Sequence, residues 1–153
     1  MKEMLERYPA SPEYLLELLH DLQDAEPRNY LTSEALEAVA ERLSMPLSEV
    51  VSTATFYSMY SLKPRGKHII RLCESPPCQL LGAESLLDYI SEQLSVGVGE
   101  TTEDGVFTLE TTSCLGVCGV APAMMIDEEV YGNLTKESVL KVVEAVRRDD
   151  ATG

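Results

Sequence analysis

The stretch CESPPCQLLG, Cys73 to Gly82, carries two cysteines with four residues between them. After thirty-five intervening residues Cys78 is followed by CLGVCG, Cys114 to Gly119, whose cysteines Cys114 and Cys118 have three residues between them. No other cysteine occurs among the 153 residues. The segments around the two pairs decide the fold. HIIRLC, His68 to Cys73, is an apolar, β-branched run, a core strand that ends on the first cysteine. Leu80 to Leu94 has helical periodicity, with Leu86, Leu87, Ile90 and Leu94 inward and Cys78 just ahead of it. DGVFTLETT, Asp104 to Thr112, opens on a turn dipeptide and alternates Val106, Thr108 and Glu110 against Phe107 and Leu109. That pattern predicts a second strand, running out just before Cys114. If the two strands are neighbours in one sheet, all four sulfurs meet at one end of it.

Working outward, AMMID (Ala123 to Asp127) and EVYG (Glu129 to Gly132) predict a hairpin or edge pair. Leu134 to Arg148 predicts a last helix with Val139, Val142, Val143 and Val146 buried. Asp149 and Asp150 are expected to fray beyond it. The order βαββ(β)α is that of a layered α/β domain. Upstream, LKPRG (Leu62 to Gly66) is the clearest linker, punctuated by Pro and Gly. Ahead of it the chain reads as helical. Ser11-Pro12 is a helix start, followed by Tyr14, Leu15, Leu18, Leu19 and Leu22 at helical spacing and stopped by Pro27. A second helix starts at Thr32 or Ser33, with Leu36, Val39, Ala40 and Leu43 on one face. After Ser44-Met45-Pro46 a third presents Leu47, Val50, Val51, Ala54 and Tyr57. The expected boundaries are a helical domain over 1–62 and an α/β domain over 67–150.

Apolar residues make up 44% and charged residues 25%, a globular composition. No apolar run approaches the ~18 residues of a membrane helix. The opening MKEMLERYPASPEY lacks the apolar core of a signal peptide. A cytoplasmic protein is therefore expected, in which paired cysteines serve metals or redox chemistry rather than structural disulfides. The formal net charge of −14 argues against nucleic acid or an anionic membrane as a partner. Lys63, Arg65, Lys67 and Arg71 form one local basic cluster, read either as a solvated linker and strand edge or as a docking patch.

Three chemistries compete for the four thiols. A structural zinc site accepts cysteine pairs, usually at closer spacing. A thiol-exchange site uses CxxC, which neither pair matches. A 2Fe–2S cluster takes four thiolates, two per iron, and tolerates longer spacings. Gly82, Gly116 and Gly119 would let backbone N–H groups approach the sulfurs. Leu80, Leu115, Val117 and Val120 would keep water away. A Rieske centre needs two histidines near the cysteines. His20 lies in the first predicted helix, and His68 precedes Cys73 by five residues on a strand, so neither serves.

Taken with their surroundings, these residues resemble the thioredoxin-like 2Fe–2S ferredoxin subunit of bacterial complex I and of NAD-linked, including electron-bifurcating, hydrogenases and formate dehydrogenases. The matching stretches are TATFYSMY (Thr53 to Tyr60), KPRGKHIIRLC (Lys63 to Cys73), CQLLGAE (Cys78 to Glu84), GETTEDGVFTLE (Gly99 to Glu110) and CLGVCGVAPAMMIDEEVYGNLT (Cys114 to Thr135). The resemblance spans roughly residues 12 to 146. It implies an N-terminal helical bundle followed by a thioredoxin-like domain with a mixed sheet. It implies a 2Fe–2S cluster on Cys73, Cys78, Cys114 and Cys118. It also implies a partner flavoprotein that carries FMN and binds NAD(H), and further iron–sulfur subunits. The chain departs from the family at Ser113, where Glu is usual, and in EPRNYL (Glu26 to Leu31), where a Gly followed by an aromatic is common.

The implied task is one-electron transfer without catalysis by the chain itself. No GxGxxG opening a βαβ unit is present to bind a dinucleotide. An all-cysteine ligand set in an acidic protein disfavours added negative charge. A low potential is expected, on the scale of roughly −400 mV for plant-type clusters. The YGNLT segment and the lack of a long cysteine-bearing C-terminal tail favour a soluble NAD-linked hydrogenase or formate dehydrogenase over complex I as the parent. A reading of another class takes Ser33 to Tyr57 as a helix-turn-helix, joined to a zinc- or cluster-containing structural or regulatory domain. Charge argues against it. From Thr32 to Tyr60 the only basic residue is Arg42, against Glu34, Glu37, Glu41 and Glu49. Phe56, Tyr57, Met59 and Tyr60 serve either as anchors for a partner subunit or as core joining the two domains.

Overall fold

The computed structural model describes the backbone of residues 1–152 and the side chains of residues 1–150. Internal contacts divide the chain into two units, Met1–Arg65 and Gly66–Gly153.

The first unit is helical: α1 (Lys2–Arg7), α2 (Leu15–Asp24), α3 (Ser33–Leu43) and α4 (Leu47–Phe56). Its core holds Leu18, Leu19, Val39 and Val50, all fully buried, at the positions that the helical periodicity selects. The Thr32 side chain caps α3 by accepting from the Ala35 N–H at 3.1 Å. Ser44, in the left-handed region at φ 53°, ends the helix. Three details differ from expectation. The start at Ser11-Pro12 becomes a 3-10 turn, Pro12–Tyr14, ahead of α2. Leu47 is exposed, because as the first residue of α4 it lies at the edge of the buried face. The six-residue α1 is too short to persist alone. Arg42 holds it from α3, its guanidinium donating to the carbonyls of Leu5 (2.9 Å) and Tyr8 (2.7 Å). These are carbonyls that the end of α1 leaves without helical partners. The single cation of the supposed helix-turn-helix is thus used inside the unit. In EPRNYL the turn is closed by Asn29 N–H to Glu26 O at 2.8 Å, with Asn29 itself at φ 47°.

The second unit is a four-stranded mixed sheet in the order β2-β1-β3-β4, built from β1 (His68–Cys73), β2 (Phe107–Thr112), β3 (Met124–Ile126) and β4 (Glu129–Tyr131). Strands β1 and β2 are parallel, and the other pairings are antiparallel. A parallel pair requires a crossover, supplied by α5 (Pro76–Leu80) and α6 (Ala83–Leu94). The last helix is α7 (Lys136–Thr152). Ile90 of α6 and Val139 of α7 join Ile70, Phe107, Leu109 and Met124 in one core.

The helix expected over Leu80 to Leu94 is broken at Gly82, which stands at φ 92°. The second strand starts at Phe107 rather than Asp104, because Asp104 and Gly105 form the turn, with Asp104 accepting from Val106 N–H at 3.0 Å. Asp150 does not fray: it lies within α7 and pairs with Lys67. Of the basic cluster, Lys67 and Arg71 meet carboxylates and Arg65 meets a carbonyl. Arg65 is buried with its guanidinium on Asn29 O (2.8 Å), and Arg71 pairs with Glu110 (3.1 Å).

Candidate metal centre

Strand pairing delivers the cysteines. In the parallel ladder Cys73 stands opposite Thr112, so β1 and β2 end together, and Cys114 follows two residues later. The Glu74 N–H bonds Thr112 O at 2.9 Å and closes that end of the pair. On its other side Cys73 donates its N–H to Ala123 O at 3.1 Å, just ahead of β3. Three chain segments therefore meet beside Cys73. Cys78 comes back to the same place because Ser75-Pro76-Pro77 turns the chain at once into α5, with Pro in the first turn. Cys78 lies inside this short helix, not ahead of a longer one.

All four thiols are free of disulfides; Cys73 and Cys78 are buried, Cys114 and Cys118 exposed. Cys73 and Cys78 are hydrogen-bonded to each other. The Cys114 and Cys118 sulfurs are 3.7 Å apart. The charge of Cys73 is felt at Cys78 and Cys118, and that of Cys118 at Cys78, so the pairs share one electrostatic site. Backbone N–H groups point at the sulfurs. Gly116 N–H reaches Cys114 Sγ at 3.3 Å, which its φ of 79° allows. Ser75 and Leu115 donate to Cys73, and Ala123 donates to Cys78.

Burial pushes the Cys73 thiol up, but the N–H groups of Ser75 and Leu115, with help from Cys78, outweigh it and hold the thiol below its usual range. Cys78 is raised, first by burial and then by the bond to Cys73. Cys118 is raised by its bond to Cys114 and by the charge of that thiol. Thiols that ligate a metal cation do so as thiolates and release their protons on binding it.

Four residues proposed to shield the site divide. Leu115 and Val117 pack partly on the core, whereas Leu80 is 87% exposed and Val120 39%. Cys78 takes the inward side of α5, which turns Leu80 out. Neither histidine reaches the thiols. His20 pairs with Asp24 at 3.5 Å in the helical unit. His68 begins β1, ~17 Å of strand from Cys73, with Nδ1 on Asp127 at 2.6 Å. Among the described residues, no three His, Cys, Asp or Glu side chains stand gathered as for a single metal ion. Ser75 and Ala123 escaped sequence reading. The signal for Ser75 was its place before Pro-Pro between two cysteines; for Ala123 there was none, since its contribution is purely main chain.

Comparison with known proteins bears on this arrangement. The sequence pattern of the thioredoxin-like [2Fe-2S] ferredoxins matches residues 1–147. The chain belongs to this family. An NADH-quinone oxidoreductase subunit of Mycobacterium tuberculosis is 37% identical over 148 residues, covering 97% of this chain and 58% of that protein. This chain thus spans little more than half the length of that relative. The NADP-reducing hydrogenase subunit HndA of Solidesulfovibrio fructosivorans is 33% identical over 141 residues, covering 92% of this chain and 81% of that one. The crystal structure of an NAD+-reducing [NiFe]-hydrogenase in the air-oxidised state superposes with a TM-score of 0.78, at 22% identity over 89% of this chain and 23% of that one. At that identity the superposition speaks to fold alone.

As a member of the thioredoxin-like [2Fe-2S] ferredoxins, the chain has a 2Fe–2S cluster as its cofactor. The residues present fit that group. The donor set is all thiol, it falls into two pairs as two irons require, and N–H donors already face three of the sulfurs.

Proposed function

We propose that Cys73, Cys78, Cys114 and Cys118 hold the 2Fe–2S cluster, and that the chain is the one-electron carrier beside an NAD(H)-binding flavoprotein in a multisubunit oxidoreductase. The observation that carries this is the meeting of two free cysteine pairs at the common end of β1 and β2. When bound, the cluster supplies a reversible one-electron couple. The protein's own groups do the rest. Four thiolates bind the irons. The N–H groups of Ser75, Leu115, Gly116 and Ala123 donate to the sulfurs and stabilise negative charge there. The buried pair, Cys73 and Cys78, anchors the site in the core. The exposed pair, Cys114 and Cys118, leaves one edge open to a partner's redox centre.

FMN and NAD belong to the partner flavoprotein, with further iron–sulfur subunits beyond. No helix of the described residues is long and apolar enough to cross a membrane, and we place the chain on the cytoplasmic side. Of the possible parents, a soluble NAD-linked hydrogenase or formate dehydrogenase is the one we put forward, on the YGNLT segment. Relatives of both the hydrogenase and the quinone-reductase kind match, so the copurified assembly is what separates the parents.

The tagged chain is purified from its native cell and assayed with NADH and a dye. The isolated chain should neither oxidise NADH nor retain flavin, while the native assembly should do both. NADH–dye activity from flavin-free isolated chain would overturn the assignment. Hydrogen or formate oxidation by the native assembly would identify a soluble parent; quinone reduction would identify complex I.

A further inference from the structure

We propose that Gly132 is a positioning residue for the cysteine site. Its lack of a side chain lets the connection between β4 and α7 press against the Cys118 loop and fix where that loop stands relative to Cys73 and Cys78. The inference rests on the ligand set proposed above.

The loop in question is a strip from Cys118 to Ala123. Cys118–Val120 forms a 3-10 turn, closed by Val120 N–H to Val117 O (2.9 Å) and Ala121 N–H to Cys118 O (3.3 Å). At the far end of the strip Ala123 accepts the Cys73 N–H and donates its own N–H to the Cys78 sulfur. One cysteine of the second pair is thereby tied, through six residues of main chain, to both cysteines of the first. The backing of this strip is the YGNLT segment. Asn133 N–H donates to Val120 O at 2.5 Å, and Leu134 N–H to Pro122 O at 3.1 Å.

Gly132 sits directly against the strip. A Cβ placed there would lie 2.7 Å from Val120 Cβ and 2.8 Å from Val120 O, and would also strike Val120 Cγ2. Rotating the valine side chain clears only the last of these. One side must therefore shift as a backbone. The YGNLT side is anchored, because Leu134 and, one turn into α7, Val139 are buried in the core. The turn Cys118–Val120 is the side that yields, because its three residues are exposed and its buried anchors, Pro122 and Ala123, lie only beyond it, whereas Gly132, itself exposed, is held between β4 and buried Leu134. A side chain at 132 thus displaces the Cys118 loop. Val130→Ala supplies the control, since Val130 is exposed on β4, two residues ahead of Gly132, and its truncation adds no atom against the strip.

The test uses the full chain, reconstituted anaerobically with iron and sulfide, as wild type, Gly132→Ala, Val130→Ala, Val120→Gly and the Gly132→Ala/Val120→Gly double variant. Four readouts are compared: far-UV circular dichroism for fold, the EPR g-values of the reduced state, the midpoint potential, and the rate of iron loss to a chelator. Gly132→Ala should keep the fold, shift the g-values and potential, and lose iron severalfold faster. Val130→Ala should match wild type. The double variant, relieved of the side-chain contacts though not of the carbonyl one, should return most of the way. Wild-type values in Gly132→Ala, or an equal shift in Val130→Ala, would overturn the inference. If Gly132→Ala fails to fold, the double variant decides: recovery of fold and cluster supports the inference, and an unfolded double variant overturns it. Failure of the wild type to take up a cluster would overturn the ligand reading, and this inference with it.

Discussion

At the scale of single residues, the four cysteines are not equivalent. Cys73 is the hub: it ends β1, bonds Ala123 through its N–H, and receives N–H donors from both cysteine loops. Cys114 and Cys118 rely on local turns and lie in the open. Replacing any of the four by Ser should lower iron and sulfide content severalfold, since an alkoxide ligand suits these irons less well than thiolate. Cys73→Ser should also raise sensitivity to unfolding, because its sulfur is buried where a hydroxyl needs a new partner. Metal analysis of the four variants decides the matter; full iron in all four would remove the ligand assignment. As ligands these four positions are what the family resemblance implies; spacing alone left zinc, thiol exchange and a cluster open. The donors that face them were only partly legible. Gly116 was visible as a glycine beside a cysteine, whereas Ala123 acts through its main chain and leaves no trace in side-chain identity.

At the scale of elements, helix periods and the alternation of β2 located the core segments to within a few residues. The ends were less legible, because they depend on side chains reaching backbone from distant positions. The short helix α1 is held by Arg42, thirty-seven residues after Leu5, a link that no local pattern announces. The aromatic run after α4 is similar. Tyr60 proves to be a core residue whose hydroxyl donates to Leu16 O at 2.8 Å, while Phe56 is 81% exposed. The run thus divides into a residue inside the core of the helical unit and one at its surface. Burial, then the nearby charge of Glu17, raises the Tyr60 phenol from 10.0 to about 12. A phenol raised on folding contributes stability that is complete below its unfolded value of 10.0 and is lost as pH climbs to about 12. Tyr60→Phe should therefore cost about 1 kcal/mol near neutrality, for the lost hydrogen bond. Its deficit should shrink as pH rises above 10.0. Urea titrations at neutral and alkaline pH read this directly. A deficit that stays the same at both would show that the phenol does not report on folding.

At the scale of the whole molecule, the order of elements followed from periodicity and punctuation. The linker LKPRG separates a stretch of period 3.6 from one in which strands and helices alternate. What could not be read was how the sheet closes on the site. Parallel pairing of β1 with β2 brings Cys73 and Cys114 together, yet sequence alone offers β1 several neighbours. Cys78 on the inner side of α5 likewise turns Leu80 outward, although Leu80 was expected to keep water from the thiols. The central claim is that this meeting of four thiols carries a 2Fe–2S cluster that exchanges single electrons. EPR of the anaerobically purified chain, before and after dithionite, tests it most directly. A silent oxidised state that gives one unpaired spin per chain on reduction is the predicted result. Silence in both states, with one zinc per chain by metal analysis, would contradict it and leave a structural fastener in place of an electron carrier.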